Sequence, residues 1–162
     1  MDDLFAPSDV SWTPVSPKLA SVRRLNAGIM LGVLGLVALL ILGLTLSWVY
    51  GVLALVVFAA GFGWSWLLIG RNQRSWKYAE REDELLVSHG IMFRELVVVP
   101  YGRMQFVDVA AGPLERAFGI ATVELHTATP ATDAKIPGLH PDEASRLRDR
   151  LSALGQAQAW GL

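Results

Sequence analysis

The densest group of catalytic residue types in this 162-residue chain is an acidic run at positions 80–84. Four acids surround Arg81 in this run: Glu80, Glu82, Asp83 and Glu84. Two carboxylates at close spacing can serve as a general acid and a general base. The run separates two apolar segments of strand-like pattern, however, and a polar run in that position is typical of a solvated hairpin loop. We therefore interpret it as a loop and not as a catalytic pair.

Other chemistry-bearing residues are scattered. The three histidines, His89, His126 and His140, lack the paired spacing of a zinc site. There is no cysteine, which excludes disulfides and thiol catalysis, and neither a Gly-x-Ser-x-Gly motif nor a phosphate-binding loop is present. The net charge of −1 does not indicate nucleic-acid binding, which usually requires a strongly basic surface. The sequence thus predicts no enzyme, no cofactor, no metal site and no nucleic-acid partner.

An uncharged stretch of 46 residues, 25–70, points to the lipid bilayer as a partner. As one helix it would be about 69 Å long at about 1.5 Å per residue, more than twice a hydrocarbon core of about 30 Å. We therefore predict two crossings, at about 27–46 and 51–70, joined by a turn at 47–50. Gly28 and Gly32 have small-residue spacing, which favours helix packing inside this hairpin or, alternatively, a dimer contact.

Basic residues flank both ends of the uncharged stretch, and no acid lies between the first and the last of them. They are Lys18, Arg23, Arg24, Arg71, Arg74 and Lys77. By the positive-inside rule, both termini are predicted to be cytoplasmic. The expected organisation is a cytoplasmic segment (1–24), two transmembrane helices (25–70), a cytoplasmic domain (71–155) and a flexible tail (156–162).

The cytoplasmic domain reads as strands followed by one helix. Alternating or continuous apolar residues predict six strands. One is at 76–81, and two lie within 83–102 and meet near Gly90. The others are at 105–109, at 121–127 and, with a weaker pattern, at 131–136. We expect the run at 96–99 to be buried on both faces, and a turn at Pro137-Gly138. The closing helix should begin at Pro141 and end at Gly155, with a stripe of apolar residues for packing: Ala144, Leu147, Leu151 and Leu154.

The segment between the strands at 105–109 and 121–127 is predicted to be a short helix, 113–118, that Gly119 ends. Three polar residues near it are candidates for interaction: Arg103, Gln105 and Arg116. We favour hydrogen bonds from them to backbone carbonyls, with ligand contact as the alternative. Glu124, on the polar face of the strand at 121–127, is a fourth candidate.

Several spaced motifs in residues 12–155 resemble the bacterial pleckstrin-homology (PH) domain membrane proteins of the YdbS/YdbT type. The motifs match in order. They are Pro100, Tyr101, Arg103, Gln105 and Val107; then Gly112, Pro113, Leu114, Arg116, Phe118 and Gly119; then Thr127 and Ala128. The resemblance implies an α+β membrane protein: a two-helix transmembrane hairpin, then a PH-like antiparallel β-sandwich or partly open barrel with a C-terminal capping helix. It implies about seven strands, whereas the residue pattern alone indicates about six.

The resemblance also implies a binding module. In lipid-binding PH domains the first hairpin loop is basic, whereas here it is the acidic run 80–84, which would repel phosphate. We therefore expect a non-enzymatic module that binds another membrane protein or a peptide segment, or that self-associates. Strand addition at a sheet edge is the expected mode. The alternative is a lipid or envelope-stress sensor that uses the flanking basic residues with Trp12 and Trp160.

Overall fold

The computed structural model describes residues 10–128 and 133–159, which form two compact units. One is a helical hairpin (Ala20–Arg71), and the other, the sheet domain, comprises the residues up to Leu19 and from Asn72 onward. The elements in chain order are β1 (Thr13–Pro14), α1 (Lys18–Thr45), α2 (Trp48–Ser75), β2 (Lys77–Glu80), β3 (Glu84–His89), β4 (Glu95–Pro100), a 3₁₀ helix (Tyr101–Arg103), β5 (Met104–Ala110), α3 (Pro113–Phe118), β6 (Ala121–Thr127), β7 (Ala134–Leu139) and α4 (Pro141–Ala159).

The hairpin consists of two helices, each long and apolar enough to cross a membrane. Each has 28 residues, about 42 Å of helix. The connection is shorter than the predicted turn at 47–50, because α2 already begins at Trp48. Ser47 starts this helix: its hydroxyl oxygen accepts from the Val49 N–H at 3.4 Å, as an N-cap residue does. Trp48 and Tyr50 are therefore helical.

Glycines of α1 let the two helices of the hairpin approach. A Cβ at Gly28 would lie 3.2 Å from the Phe62 ring, and one at Gly35 would lie 3.2 Å from the Phe58 Cβ. A Cβ at Gly32 would meet nothing within 4 Å. Packing inside the hairpin is thus confirmed for Gly28. The second glycine of α1 that lies against α2 is Gly35, and not Gly32 as the spacing suggested.

The first sheet has the order β1-β2-β3-β4, with every pair antiparallel. Its central strand β3 is buried on both faces from Leu85 to Ser88. The prediction that 96–99 would be buried on both faces was wrong, because β4 is the edge strand of this sheet. Only Val99 is buried there, and Val98 is 37% exposed.

The second sheet has the order β5-β6-β7. The predicted alternation of β6 is confirmed, since Val123, Leu125 and Thr127 are buried and the residues between them are not. The predicted turn at Pro137-Gly138 was wrong, because β7 continues to Leu139 across a register shift against β6. Gly138 adopts a φ of 74° there, and its carbonyl accepts from the Ser16 N–H at 3.0 Å.

The two helices α3 and α4 of the sheet domain begin at the predicted residues. Helix α3 spans Pro113–Phe118 and ends at Gly119, which is left-handed with a φ of 66°. Helix α4 begins at Pro141 but runs past the predicted end at Gly155 to Ala159. Gly155 lies inside the helix, next to the 3₁₀ helix, and a Cβ there would be in ordinary contact with the Tyr101 carbonyl oxygen at 3.5 Å. Trp160 lies outside the described residues.

Candidate interaction site

The β5 strand forms an open edge of the second sheet. Within the described residues it pairs with β6 alone. A register shift falls between Met104 and Phe106, so Gln105 is an extra residue with no partner on β6. Such a bulge redirects a side chain and is frequent at sheet edges. A strand edge presents unpaired backbone N–H and C=O groups, which makes it a template for another strand.

A groove runs between this edge and the last turns of α4. Its volume is about 370 Å³. We call it the β5–α4 groove. The lining residues, four from each element, are Met104, Gln105, Phe106 and Val107 of β5 and Leu151, Ser152, Gly155 and Gln156 of α4. The groove is therefore mixed in character, with apolar walls and amide and hydroxyl groups that can donate and accept.

Apolar burial holds α4 in place beside β5. Of the predicted stripe, Ala144, Leu147 and Leu151 are completely buried, and Leu154 is partly buried. Helix α4 packs against β5, β6 and the 3₁₀ helix. The position of one wall of the groove thus depends on the core of the sheet domain.

A polar network fastens the same helix to the acidic hairpin between β2 and β3. The Arg146 guanidinium donates to Glu80 at 2.7 Å and to Glu143 at 2.6 Å, and the Arg150 Nε lies 3.1 Å from Glu80. The Tyr78 hydroxyl donates to Glu143 at 2.8 Å. The acidic run 80–84 is therefore partly a helix-docking site, and Glu80 is 15% exposed. The i,i+4 spacing of Arg146 and Arg150 was the sequence feature that could have indicated this contact.

The network shifts the ionisation of its members. The hydrogen bonds from Arg146 lower the pKa of Glu143 below its usual value, and burial opposes them. Burial raises the pKa of Tyr78 well above that of an exposed tyrosine, and the hydrogen bond to Glu143 adds to it. Burial likewise raises the pKa of Tyr101, to about 12, with a contribution from the Glu80 charge. The two tyrosines are neutral donors at physiological pH, and the Tyr101 hydroxyl donates to the Arg81 carbonyl at 2.9 Å.

The four candidate residues do not converge on one site. Gln105 lines the β5–α4 groove. Arg103 is exposed at the end of the 3₁₀ helix, and Arg116 is exposed on α3. Among the described residues, the side chains of Arg103, Gln105 and Arg116 make no hydrogen bond, so the structure gives no support for the preferred interpretation that they hold backbone carbonyls.

Glu115 has the structural role that was expected of Arg116. Its carboxylate accepts from the Gly112 N–H at 2.8 Å and from the Thr122 hydroxyl at 3.1 Å. The Ile120 N–H donates to the Glu115 carbonyl at 2.9 Å. These bonds close α3 onto β6, so the segment 113–118 is a structural connection.

Glu124 lies on the outer face of the second sheet, in a patch of paired charges. It accepts from Lys135 at 2.9 Å. His126 lies 3.4 Å from Asp133 and stacks on Phe106, with ring centroids 4.4 Å apart. Backbone hydrogen bonding from Thr127 lowers the pKa of Asp133. No group of residues in the described part of the chain, this patch included, has the arrangement of a metal site.

The flanking basic residues divide between the two units. In the hairpin, the Arg24 guanidinium lies 4.3 Å from the Trp66 ring centroid and donates to the Trp66 carbonyl. In the sheet domain, the Lys77 Nζ lies 4.8 Å from the Trp12 ring centroid. Lys18, Arg71 and Arg74 are exposed, and Arg23 is partly buried.

Comparisons with known proteins agree with this architecture. A family model described as "Bacterial PH domain" matches residues 25–155. The chain is also 36% identical to the UPF0699 transmembrane protein YdbS of Bacillus subtilis (strain 168) over 109 aligned residues. The aligned region covers 67% of each chain. No solved structure matches. The match spans most of the chain and includes both membrane helices. The chain is a transmembrane protein and belongs to the bacterial PH domain family.

Proposed function

We propose that this protein is a non-enzymatic interaction module of the bacterial inner membrane. The hairpin α1–α2 anchors it, and the sheet domain lies on the cytoplasmic side. The domain binds an extended segment of another membrane protein, or of a second copy of this chain, at the edge of β5.

The observation that carries the proposal is the open β5 edge beside a groove. An added strand would pair its backbone with β5, which contributes affinity without regard to sequence. Its alternate side chains would enter the β5–α4 groove, where Gln105, Ser152 and Gln156 offer hydrogen bonds. The other strand edges of the sheet domain are less suited to pairing with an added strand. Strand β1 has only two residues, and the Gly138 carbonyl of β7 already accepts from Ser16. Strand β4 ends at Pro100, which has no N–H to donate.

The cytoplasmic location rests on charge. Exposed Arg71 and Arg74 follow the uncharged stretch, and exposed Lys18 precedes it. Basic residues at both ends keep those ends on the cytoplasmic side. The same residues are the support for the alternative, a lipid-sensing module, since each basic residue near an anionic surface contributes about 1 kcal/mol. Topology already accounts for their positions, so we rank that alternative second.

Filling the groove should separate the module from its partner. We expect Ser152→Trp, within the groove, to reduce co-purification of specific membrane proteins or of a tagged second copy by about tenfold, since about 1.4 kcal/mol of lost affinity corresponds to that factor. The measurement is quantitative mass spectrometry of the full chain extracted from its host membrane in lipid nanodiscs.

Ala153→Trp is the matched control, because Ala153 is the neighbouring residue of α4 and is exposed outside the groove. It adds the same side chain without entering the groove, and we expect it to retain the partners. Equal recovery with both variants would contradict binding in the β5–α4 groove.

A further inference from the structure

Two large apolar side chains project from the loop between β3 and β4. Met92 is 86% exposed and Phe93 is 84% exposed. Outside the helical hairpin, no other large apolar residue in the described part of the sheet domain exceeds 52%. We call this segment, residues 91–94, the β3–β4 tip. Exposed apolar groups in a cluster indicate an interaction surface, and the groove on β5 does not include them.

The topology places the β3–β4 tip at the end of the sheet that is tied to the membrane helices. Pro14, where the chain leaves for α1, is aligned with Lys77, where the chain returns from α2. Lys77 is aligned in turn with Ser88, and Ser88 with Leu96. In an antiparallel sheet of this order, the β1–β2 and β3–β4 connections lie at the same end. The first of these connections contains both membrane helices.

The base of the tip is fixed to the residues that end α2. The Gly90 N–H donates to the Ser75 hydroxyl oxygen at 3.1 Å, and the His89 ring stacks on the Trp76 ring with centroids 4.4 Å apart. Ser75 is the last residue of α2 and follows the uncharged stretch by five residues, about 8 Å of helix. That distance corresponds to the headgroup layer, which adds about 5–8 Å to each side of the hydrocarbon core.

The composition of the tip fits that layer. Arg94, which is exposed, directly follows the two apolar residues. Apolar side chains at the boundary of the acyl chains, with a basic residue at the level of the phosphates, are the usual arrangement of segments that lie in the interface. The tight conformation at Gly90, with a φ of 102°, fixes the direction in which the tip leaves β3.

We propose that Met92 and Phe93 insert into the cytoplasmic leaflet and hold the sheet domain against the bilayer. The ligand is the lipid surface itself, recognised by apolar insertion and one basic contact, and no specific headgroup is required. This contact differs from the protein-binding edge proposed on β5. It would limit the positions from which a partner segment can reach that edge.

The absence of cysteine from the chain permits a direct depth measurement. A nitroxide label is attached to Phe93→Cys in the full chain, in nanodiscs of phosphatidylcholine and phosphatidylglycerol. Its collision rates with oxygen, which concentrates in lipid, and with a water-soluble nickel chelate are compared. We expect collisions with oxygen to dominate for this label, and the same result for Met92→Cys.

Glu82→Cys provides the matched control, because Glu82 is exposed in the β2–β3 hairpin at the opposite end of the same sheet. Its label should collide mainly with the nickel chelate. If the label at position 93 behaves like the one at 82, or is shielded from both reagents by protein, membrane insertion is overturned. Neither outcome depends on the β5–α4 groove, so this test and that of Ser152→Trp fail independently.

Discussion

Leu147→Ala should destabilise the sheet domain by about 2–5 kcal/mol, the range for deleting a large buried aliphatic side chain. Leu147 is completely buried, in the middle of the α4 stripe between Ala144 and Leu151. Leu147 lies one helical turn before Leu151, which lines the β5–α4 groove. The loss should appear as faster hydrogen exchange of the slowest amides of β3 and β6 in the full chain in nanodiscs, since those amides report the opening of the whole domain.

Leu147→Met is the matched control, because it keeps the volume and should cost less than about 1.5 kcal/mol. The exchange of the amides in the helical hairpin, Ala20–Arg71, should be unchanged in both variants, since the hairpin is a separate unit. If Leu147→Ala left β3 and β6 as protected as in the parent chain, α4 would not be part of the core that positions the groove.

Gly90→Ala should lower the free energy of unfolding of the sheet domain by about 1–3 kcal/mol through the backbone conformation alone. A steric overlap should add to this loss. The φ of 102° at Gly90 is one that residues with a Cβ rarely adopt, and a Cβ would overlap the Phe93 carbonyl oxygen. Relief requires the backbone of the β3–β4 tip to move. We expect faster exchange of the β3 and β4 amides nearest the tip, and a shift of the label at position 93 toward water.

Gly112→Ala is the comparison for this variant. Gly112 has a φ of −68°, and the nearest atom to a Cβ there is a Glu115 carboxylate oxygen at 3.7 Å. Alanine fits both the conformation and the space, so the exchange of β5 and β6 should be nearly unchanged. Equal effects of the two substitutions would show that the backbone at Gly90 does not determine the shape of the tip.

Elements with a complete local pattern were predictable from the sequence. The alternation in β6 and the apolar stripe of α4 specify which face is buried, and the uncharged stretch specifies two membrane helices because its length exceeds one crossing. The short helix α3 followed from Pro113 and Gly119, which act on the backbone of their immediate neighbours. In each case the residues that determine the structure are adjacent in the chain.

The wrong predictions depend on contacts between distant residues. The run at 96–99 is apolar enough for a central strand, but only the order of the strands makes β4 an edge. Gly155 has the residue type of a helix end, yet α4 continues past it to Ala159, beside the Tyr101 carbonyl of the 3₁₀ helix. Pro137-Gly138 has the composition of a turn, but the flanking residues Ile136 and Leu139 pair with β6, and Ser16 binds the Gly138 carbonyl, so the segment stays within β7.

The interaction site was only partly predictable for the same reason. Gln105 was identified from its motif, but the bulge that exposes it depends on the register between β5 and β6. The contact of Glu80 with Arg146 joins residues 66 positions apart. The exposure of Met92 and Phe93 was not predicted, because apolar residues between two strands have the composition of the strands themselves.

Site-specific photo-crosslinking in the native membrane tests the protein-binding edge most directly. A photoreactive residue replaces Gln105 in the groove, and in a second variant replaces Arg116, which is exposed on α3 outside it. We predict an adduct from position 105 with an extended segment of a membrane protein or of a second copy of the chain, and none from position 116. Equal adducts from both positions, or adducts from position 105 with lipid alone, would contradict the proposal that the β5 edge binds protein.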